Sequence, residues 1–364
     1  MYNLYSVQAQ SDQMPESKVF YYKEVWFMET KKVIALLGKP TSTDITTEEM
    51  LHEWEVLASI PGVTYIVKQY ETFPTVEEFN ALIDEDADAA LGVWITHKFL
   101  TEEFFQSHPR LKYLAGLAHG YEAMDFSVSR RYGVTITNTA YGASTVAEYA
   151  FALLLDICHK VELHSQYVKK TNWSAPDAPK YMYALTKQME LCHMTFGVIG
   201  LGKIGWHAAS IARGFGMKVI AYSRHKKEGP EYEFIEQVSL DELYARADVI
   251  SLHAPLNDGT RKMINAESIR KMKDGVILIN TARGALVDED ALAEGLKTGK
   301  IYAAGLDVLN EEPPVHPSAL LTQPNATITG HIAWLPKTSR LRQVSLAIHN
   351  YQSYLDGKPV SVIN

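Results

Sequence analysis

The chain alternates between short apolar runs and stretches in which apolar residues recur at helical spacing. Five such runs come first, at residues 33–37, 63–67, 89–94, 111–117 and 134–137. Apolar runs of this length, without polar alternation, predict strands that are buried on both faces. Because helix-like stretches separate them, we expect a parallel sheet covered by helices on both sides.

The same alternation returns in the second half of the chain. Six further runs predict strands, at residues 196–199, 217–222, 248–253, 276–280, 301–306 and 326–329. Six strands is the count of a full doubly wound dinucleotide-binding domain. A final helical stretch has its apolar residues on one face between Leu341 and Leu355, and we expect it to cross back onto the first domain.

The predicted fold class is therefore α/β, with two doubly wound parallel-sheet domains of the Rossmann or flavodoxin-like kind and a cleft between them. The first domain is assigned to residues 31–140 together with 336–364, and the second to residues 141–335. Residues 1–30 fit neither pattern and are treated as an unassigned N-terminal extension.

One helical stretch, residues 145–158, is apolar on nearly every side. Thr145 and Glu148 fit a capping box at its start. A helix that is apolar all round must be covered all round, so we expect it between the domains or in a subunit interface. On this basis we predict a homodimer.

Composition narrows the class of protein. The 364 residues are 46% hydrophobic and 21% charged, with a net charge of −8, which argues against nucleic-acid binding and against an anionic membrane surface. Cys158 and Cys192 show no metal-binding or redox spacing and suit a reducing compartment. The N-terminus shows no secretion signal, and no run has the length of a membrane span. We expect a cytoplasmic protein without a metal.

A glycine-rich turn carries the clearest binding signal. Gly200, Gly202 and Gly205 stand in G-x-G-x-x-G spacing between the predicted strand at 196–199 and a helix that opens at about residue 206. In a dinucleotide site these glycines allow a tight turn, close approach to a pyrophosphate, and close packing of helix on strand. The free N–H groups at the helix start would hold the pyrophosphate.

Three ionisable residues follow strand ends at the same edge of the second sheet. Arg283, Glu312 and His331 come shortly after the predicted strands at 276–280, 301–306 and 326–329. Ligands of parallel sheets bind at the carboxyl edge, so all three are expected beside the glycine turn. Singly, each has an ordinary structural alternative: a solvated arginine, an acidic turn and a buried histidine. Their convergence favours a catalytic site.

Reduction of a 2-oxo acid needs the chemistry that these three residues supply. The carbonyl oxygen needs a proton as hydride arrives at its carbon, and His331 is the natural donor because the intrinsic pKa of a histidine side chain lies near neutrality. A carboxylate at Glu312 would orient the ring and favour its protonated form. Arg283 offers a planar fork that matches a substrate carboxylate.

These residues stand in segments that resemble the D-isomer-specific 2-hydroxyacid dehydrogenases. The segments are NTARG at 280–284, GLDV at 305–308 leading to Glu312 and Pro313, and GHIAW at 330–334. The resemblance runs from about residue 31 to the C-terminus. Residues 117–125, 140–148 and 357–364 look most like the glycerate dehydrogenase (hydroxypyruvate reductase) branch.

The resemblance implies NAD(P)H-dependent reduction of a small 2-oxo acid, with hydroxypyruvate or glyoxylate favoured, and a homodimer. It implies Arg283 as the substrate-carboxylate ligand, His331 as the acid/base and Glu312 as its partner. The implied cofactor contacts are Gly200, Gly202, Lys203, Ile204, Gly205, Ser223, Arg224, His253, Ala254, Pro255, Thr260, Thr281, Ala282, Arg283, Asp307, His331 and Trp334. The implied substrate contacts are Ala118, His119, Gly120, Arg283 and His331.

The sequence also departs from the family pattern. His119 stands where a small residue is usual, Gly330 where proline is usual, and Leu335 with Pro336 interrupts the usual start of the last helix. These departures bear on substrate size more than on the type of reaction.

The end of the second strand of the dinucleotide domain bears on cofactor choice. An NAD site places Asp or Glu there to accept from the ribose 2′-OH, and here the position is Ser223, followed by Arg224. The missing carboxylate and the adjacent fork donor favour NADPH. The alternative, that Arg224 points to solvent or stacks on the adenine while Ser223 serves NAD, stays open.

A second class of function shares this fold. A non-catalytic, NAD(H)-sensing corepressor can carry the same Arg–Glu–His set. Such proteins usually carry long tails rich in serine and proline, and none follows here before Asn364. We therefore expect an enzyme.

Overall fold

Two parallel sheets organise the computed structural model of the chain, which describes residues 30–39, 42–118, 120, 126–171, 173 and 184–364. The unassigned extension lies outside the described residues apart from Thr30. The first sheet contains β1 (Lys31–Gly38), β2 (Val63–Tyr70), β3 (Ala89–Val93), β4 (Tyr113–Gly116) and β5 (Thr135–Thr137). Their order is β2-β1-β3-β4-β5, and every pairing is parallel.

The second sheet has seven strands. They are β6 (Thr195–Ile199), β7 (Lys218–Tyr222), β8 (Glu236–Gln237), β9 (Val249–Leu252), β10 (Val276–Asn280), β11 (Ile301–Leu306) and β12 (Ala326–Ile328). They run parallel in the order β12-β11-β10-β9-β6-β7-β8, so the order reverses at β6. The predicted fold class of two doubly wound parallel sheets is confirmed.

The predicted count of six strands in this sheet is corrected to seven. The additional strand, β8, is two residues long and pairs only with β7 at the sheet edge. It consists of a glutamate and a glutamine, so no apolar run announces it.

Eleven α-helices occur in the described residues. They are α1 (Thr47–Trp54), α2 (Val76–Leu82), α3 (Glu102–Ser107), α4 (Ser127–Arg131), α5 (Ala143–His159), α6 (Val161–Lys170), α7 (Lys203–Gly214), α8 (Leu240–Arg246), α9 (Ala266–Lys271), α10 (Glu289–Thr298) and α11 (Lys337–Leu355). Short 3-10 segments occur at Glu55–Ser59, Pro230–Tyr232, Gly284–Leu286 and Ala319–Thr322. No described helix combines the length and the apolar character that crossing a bilayer requires.

Helix α5 differs from its prediction in where it begins. It begins at Ala143 after Gly142, with no side-chain cap, so Thr145 lies inside the first turn and the predicted capping box is wrong. The helix packs against α7, β10 and β11, while Glu148 and Ala152 are exposed in the single chain. Its place in a subunit interface therefore stays a prediction. Helix α6, directly after it, was not predicted, because none of its residues is buried and no apolar stripe marks it.

The last helix returns to the first sheet. In α11, Val344, Ala347, Ile348 and Tyr351 are buried in one cluster with the apolar residues of β1. The opposite face of that sheet is covered by a separate cluster that includes the aromatic residues of α2 and α3. Full burial of one large apolar side chain, such as that of Val344 or Ile348, stabilises the fold by about 1.5–3 kcal/mol relative to exposure. The first sheet is thus built from both ends of the chain.

Candidate active site

The glycine turn after β6 has the geometry of a phosphate cradle. Gly200 has φ +101°, and a Cβ there would lie 2.5 Å from the backbone nitrogen of Ala254. A Cβ on Gly205 would lie 2.1 Å from the carbonyl oxygen of Gly200. At Gly202 a Cβ would meet no atom within 4 Å, so this residue borders open space. Two of the glycines are therefore required by close contacts, and the third keeps the approach to the turn clear.

Helix α7 begins at Lys203, directly after this turn and three residues earlier than predicted. The N–H groups of Lys203, Ile204 and Gly205 have no carbonyl partner within the helix, because the first turn of any helix leaves them free. They adjoin the open space at Gly202, where the helix dipole favours an anion.

A buried hydroxyl beyond β10 also fits a bound dinucleotide. Thr281 Oγ1 is buried and has no hydrogen-bond partner in the described part of the chain. An unsatisfied buried hydroxyl costs about 1–3 kcal/mol, which a polar ligand group would recover. Together with the glycine turn, it indicates that the residues present suit a nicotinamide dinucleotide.

The turn after β7 is rich in basic residues, and hydrogen bonds to β8 fix one side of it. Ser223 Oγ donates to the carbonyl oxygen of His225 at 2.6 Å, and Arg224 is exposed without an ion pair to any described residue. Gln237, in β8, accepts from the Lys227 backbone N–H and donates to its carbonyl oxygen, both at 2.7 Å. The strand that the sequence did not predict thus anchors the turn expected to meet the adenosine ribose.

The segment after β9 packs behind the glycine turn. Ser251 Oγ and His253 Nε2 lie 2.9 Å apart, and burial lowers the pKa of His253 to about 4, so the imidazole is neutral. The backbone of His253 and Ala254 makes the close approach to Gly200, and Pro255 follows them in the chain. Thr260 donates its hydroxyl to the Pro255 carbonyl at 2.7 Å, inside its own loop.

His331 and Glu312 form a hydrogen-bonded pair at the carboxyl edge. His331 Nδ1 lies 2.6 Å from Glu312 Oε2, and the side chains are 44% and 35% exposed. The Leu309 N–H donates to Glu312 Oε1 at 2.8 Å. Burial acts to raise the pKa of Glu312, but the hydrogen bonds from His331 and Leu309 and the charge of Arg283 outweigh it, so the pKa lies below its usual value. The carboxylate is therefore charged at neutral pH, and the other ring nitrogen of His331 is left for a reacting group.

A buried aspartate holds the turn that presents His331. Asp307 accepts from Thr329 Oγ1 at 2.6 Å and from the N–H groups of Ile332 and Ala333 at 2.9 and 2.8 Å. His331 has φ +57°, a conformation that few non-glycine residues adopt, and its N–H donates to the Asp307 carbonyl. Both carboxylate oxygens of Asp307 thus bind the protein itself. Besides the cofactor contact that the resemblance implies, Asp307 therefore supports the His331 turn, a role that sequence reasoning missed.

Trp334 ties down the same turn, since its indole N–H donates to the His331 carbonyl oxygen at 2.9 Å. On the neighbouring turn, Asn280 accepts from the Ala282 N–H and donates to the Arg283 carbonyl oxygen. The backbone at His331 and Arg283 is therefore fixed by side chains at the end of β10 and just after β12.

Arg283 reaches from the second sheet to the chain that follows β4 in the first. Its Nη1 donates to the Ala282 carbonyl at 2.7 Å, and a Cβ on Gly120 would lie 2.1 Å from its Nη2. Gly120 is therefore close to the guanidinium, and Ala118 lies two residues before it in the chain. His119 and residues 121–125 lie outside the described residues. The carboxyl edges of the two sheets meet at Arg283.

Sequence reasoning missed Tyr141, which lies where the chain passes between the sheets. It is buried, and its backbone carbonyl accepts from Arg342 of α11 at 2.9 Å. Burial raises the pKa of its hydroxyl to about 12, against smaller lowering effects from a hydrogen bond with Gln343 and from the charge of Arg283. A tyrosine in a connecting loop carries no sequence signal of this placement.

Among the described residues no group of His, Cys, Asp and Glu side chains could hold a metal.

Comparison with known proteins agrees with this geometry. The family described as D-isomer specific 2-hydroxyacid dehydrogenase, NAD binding domain, matches residues 151–333. The chain is 39% identical over 292 residues to a hydroxypyruvate reductase of Blautia hydrogenotrophica, covering 80% of this chain and 89% of that protein. The chain belongs to the D-isomer-specific 2-hydroxyacid dehydrogenases. A glycerate dehydrogenase of Methylorubrum extorquens is 31% identical, covering 92% of this chain and 99% of the relative.

Among solved structures, an acyclic imino acid reductase in complex with NADPH and D-arginine matches with a TM-score of 0.75 at 30% identity. The match covers 91% of this chain and 100% of that one. The predicted family and its glycerate dehydrogenase (hydroxypyruvate reductase) branch are confirmed. This dehydrogenase is accordingly an oxidoreductase that reduces 2-oxo acids with a nicotinamide cofactor. Nothing in the comparison supports the corepressor alternative.

Proposed function

We propose that the enzyme reduces a small 2-oxo acid, hydroxypyruvate or glyoxylate first, to the D-2-hydroxy acid, and catalyses the reverse oxidation. The observation that carries this proposal is the 2.6 Å pair of His331 and Glu312 on the edge that bears the glycine turn, with Arg283 beside it. The names of the relatives, hydroxypyruvate reductase and glycerate dehydrogenase, support the choice of substrate.

Each residue of the site has a task in this reaction. Arg283 binds the substrate carboxylate through its planar fork, and the backbone at Ala118, His119 and Gly120 completes that pocket. His331 donates a proton to the carbonyl oxygen in reduction and accepts it in oxidation. Glu312 holds the ring by Nδ1 and favours its charged form.

The cofactor supplies the hydride for the substrate carbon when bound. The glycine turn and the start of α7 would hold its pyrophosphate, the turn at Ser223 and Arg224 its adenosine ribose, and the 253–255 segment, Thr281, Asp307 and Trp334 its nicotinamide end. The exposed Arg224, the absence of a carboxylate at Ser223 and the NADPH complex of the imino acid reductase support a preference for NADPH.

We further propose the domain division of 31–140 with 336–364 for substrate and 141–335 for cofactor. The meeting of α11 with the first sheet supports it. A cytoplasmic homodimer, assembled through α5, completes the proposal. The unburied α6 that follows α5, with Val161 69% exposed, supports a subunit contact there.

A screen of 2-oxo acids with NADPH and NADH tests the proposed function. Glyoxylate and hydroxypyruvate should be reduced, with consumption of the cofactor followed at 340 nm. The glycerate formed from hydroxypyruvate should have the D-configuration by chiral chromatography. Turnover of no 2-oxo acid, with cofactor still bound, would overturn the proposal and revive the corepressor alternative.

A further inference from the structure

The turn that follows β7 is joined directly to the glycine turn. The Gly200 N–H donates to the Tyr222 carbonyl oxygen at 2.9 Å, and Ser223 is the next residue after Tyr222. In a dinucleotide site the glycine turn meets the pyrophosphate, and the end of the second strand meets the adenosine ribose. We call residues 223–227 the ribose turn. It begins one residue beyond a backbone hydrogen bond to the phosphate cradle.

Gln237 fixes the far end of the ribose turn. Its Oε1 accepts from the Lys227 N–H, and its Nε2 donates to the Lys227 carbonyl oxygen, both at 2.7 Å. Gln237 lies in β8, where it pairs with Ala221 of β7. A side-chain amide carries a donor and an acceptor side by side, so it can bind both main-chain groups of one residue. The end of the ribose turn is therefore tied back to the sheet that the turn leaves.

The ribose turn presents cations that the protein itself leaves unused. Four basic side chains on it make no hydrogen bond or ion pair to any other residue that the structure describes; they belong to Arg224, His225, Lys226 and Lys227. The first three are exposed, and that of Lys227 is partly exposed. By contrast, the guanidinium of Arg246 is bound by Glu236 and Glu242. Unpaired cations on a fixed turn suit a phosphate group.

We propose that Gln237 is a positioning residue for the 2′-phosphate of NADPH, because it holds the ribose turn in place before the cofactor binds. The inference rests on the proposed preference for NADPH. A turn that is free to move must be ordered when the phosphate binds, and this ordering lowers the affinity. The two hydrogen bonds of Gln237 order the turn beforehand. NADH has a hydroxyl in place of the phosphate and gains much less from the fixed cations.

Binding of 2′,5′-ADP and of 5′-AMP to the substrate-free enzyme tests this inference, because the two probes differ only in the 2′-phosphate. Gln237→Met keeps the length of the side chain and removes both hydrogen bonds to Lys227. Calorimetry should show 2′,5′-ADP bound roughly tenfold more weakly in this variant, the scale of one hydrogen bond to a charged group, while the affinity for 5′-AMP changes by less than about twofold. If Gln237→Met does not fold, Gln237→Asn replaces it, since a side chain shorter by one methylene cannot reach both groups.

Gln352→Met is the matched control. Gln352 lies in α11, and its Nε2 donates to Asp356 at 3.1 Å, so this variant also loses a glutamine hydrogen bond but leaves the ribose turn intact. Both probes should bind to it as to the wild type. Hydrogen–deuterium exchange at the Lys227 amide should be faster in Gln237→Met than in the wild type and in the control. In kinetics, Gln237→Met should raise KM for NADPH and leave kcat and KM for NADH nearly unchanged.

The outcomes separate this inference from the proposed function. Equal affinity for 2′,5′-ADP in the wild type and in a folded Gln237→Met overturns the inference. An equal loss for both probes also overturns it, since Gln237 would then support the adenosine site as a whole. If the wild type binds 5′-AMP as tightly as 2′,5′-ADP, both the inference and the NADPH preference fail, while the reduction of 2-oxo acids stands.

Discussion

The carboxyl edges of the two sheets face the same cleft but are built from different interactions. At the edge of the second sheet, charged and polar groups are fixed by hydrogen bonds, as in His331 with Glu312 and in Asp307 with the 329–333 turn. At the edge of the first sheet, Trp94 and Phe73 are fixed by ring packing. Arg283 is the point where the two edges touch.

The difference separates groups that can transfer a proton from groups that only pack. Proton transfer requires groups held at hydrogen-bond distance. The hydrogen bonds of Asp307 and Asn280 fix the turns that carry His331 and Arg283, and so hold these groups in place. Packed aromatic rings carry no group that exchanges a proton near neutral pH. Changes at the second edge should therefore depress the turnover of all substrates together.

Removal of the proton donor should have the largest effect. His331→Ala should lower kcat by roughly 10²–10⁴-fold for every 2-oxo acid, the usual contribution of positioned proton transfer, while cofactor affinity measured by fluorescence stays nearly the same. His316→Ala is the control, because His316 also pairs with a glutamate, Glu311, but is 87% exposed. Equal losses in the two variants would remove His331 from the mechanism.

Replacement of the Arg283 guanidinium, where the two edges meet, should have the second largest effect. Arg283→Lys keeps the charge but cannot pair with a carboxylate through two parallel bonds, so kcat/KM should fall by about 10- to 100-fold, corresponding to about 1.5–3 kcal/mol. Arg246→Lys, in an exposed ion pair with Glu236 and Glu242, serves as the control. Near-normal kcat/KM in Arg283→Lys would show that Arg283 does not clamp the carboxylate.

A methyl group added at Gly120 should displace the guanidinium of Arg283. Gly120→Ala would place Cβ 2.1 Å from Arg283 Nη2, and the flexible arginine must move. We expect KM for 2-oxo acids to rise roughly tenfold with little change in Tm, because misplacement of a binding group weakens the productive complex. Gly214→Ala, where a Cβ meets no atom within 4 Å, is the control. An unchanged KM would mean that the edges do not meet in the working enzyme.

The smallest of these effects is expected for the preference between NADPH and NADH when Ser223 is replaced. Ser223→Asp adds a carboxylate where NAD enzymes place one, so the ratio of kcat/KM for NADPH over NADH should fall by roughly tenfold from a wild-type value above one. A wild-type preference for NADH, or a ratio that Ser223→Asp leaves unmoved, would contradict the NADPH proposal.

Much of the second edge could be predicted because its groups follow strand ends within a few residues. Gly200 to Gly205, Arg283 and His331 each come directly after an apolar run, and parallel topology brings such positions together. Glu312 could be predicted for the same reason, because it follows β11 after a short loop. What the pattern could not show was Asp307 turned inward under His331, since a buried and an exposed aspartate look alike in sequence.

The first edge could not be predicted in the same way. Phe73, after β2, packs there against Trp94, after β3, and these strands are separated in the sheet by β1. Their contact depends on strand order and ring orientation, neither of which has a sequence signal. Likewise the two-residue β8 and the early start of α5 depend on packing rather than on apolar periodicity.

The most direct test of the account is the pH dependence of reduction in Glu312→Gln. The charged carboxylate favours the protonated imidazole that donates the proton, so its removal should move the alkaline limb of kcat/KM to lower pH. Glu311→Gln, which alters the adjacent glutamate and its pair with His316, should leave the limb in place. A shift in Glu312→Gln alone is the predicted result. An alkaline limb identical to that of the wild-type enzyme would contradict the pairing of Glu312 with His331 in catalysis.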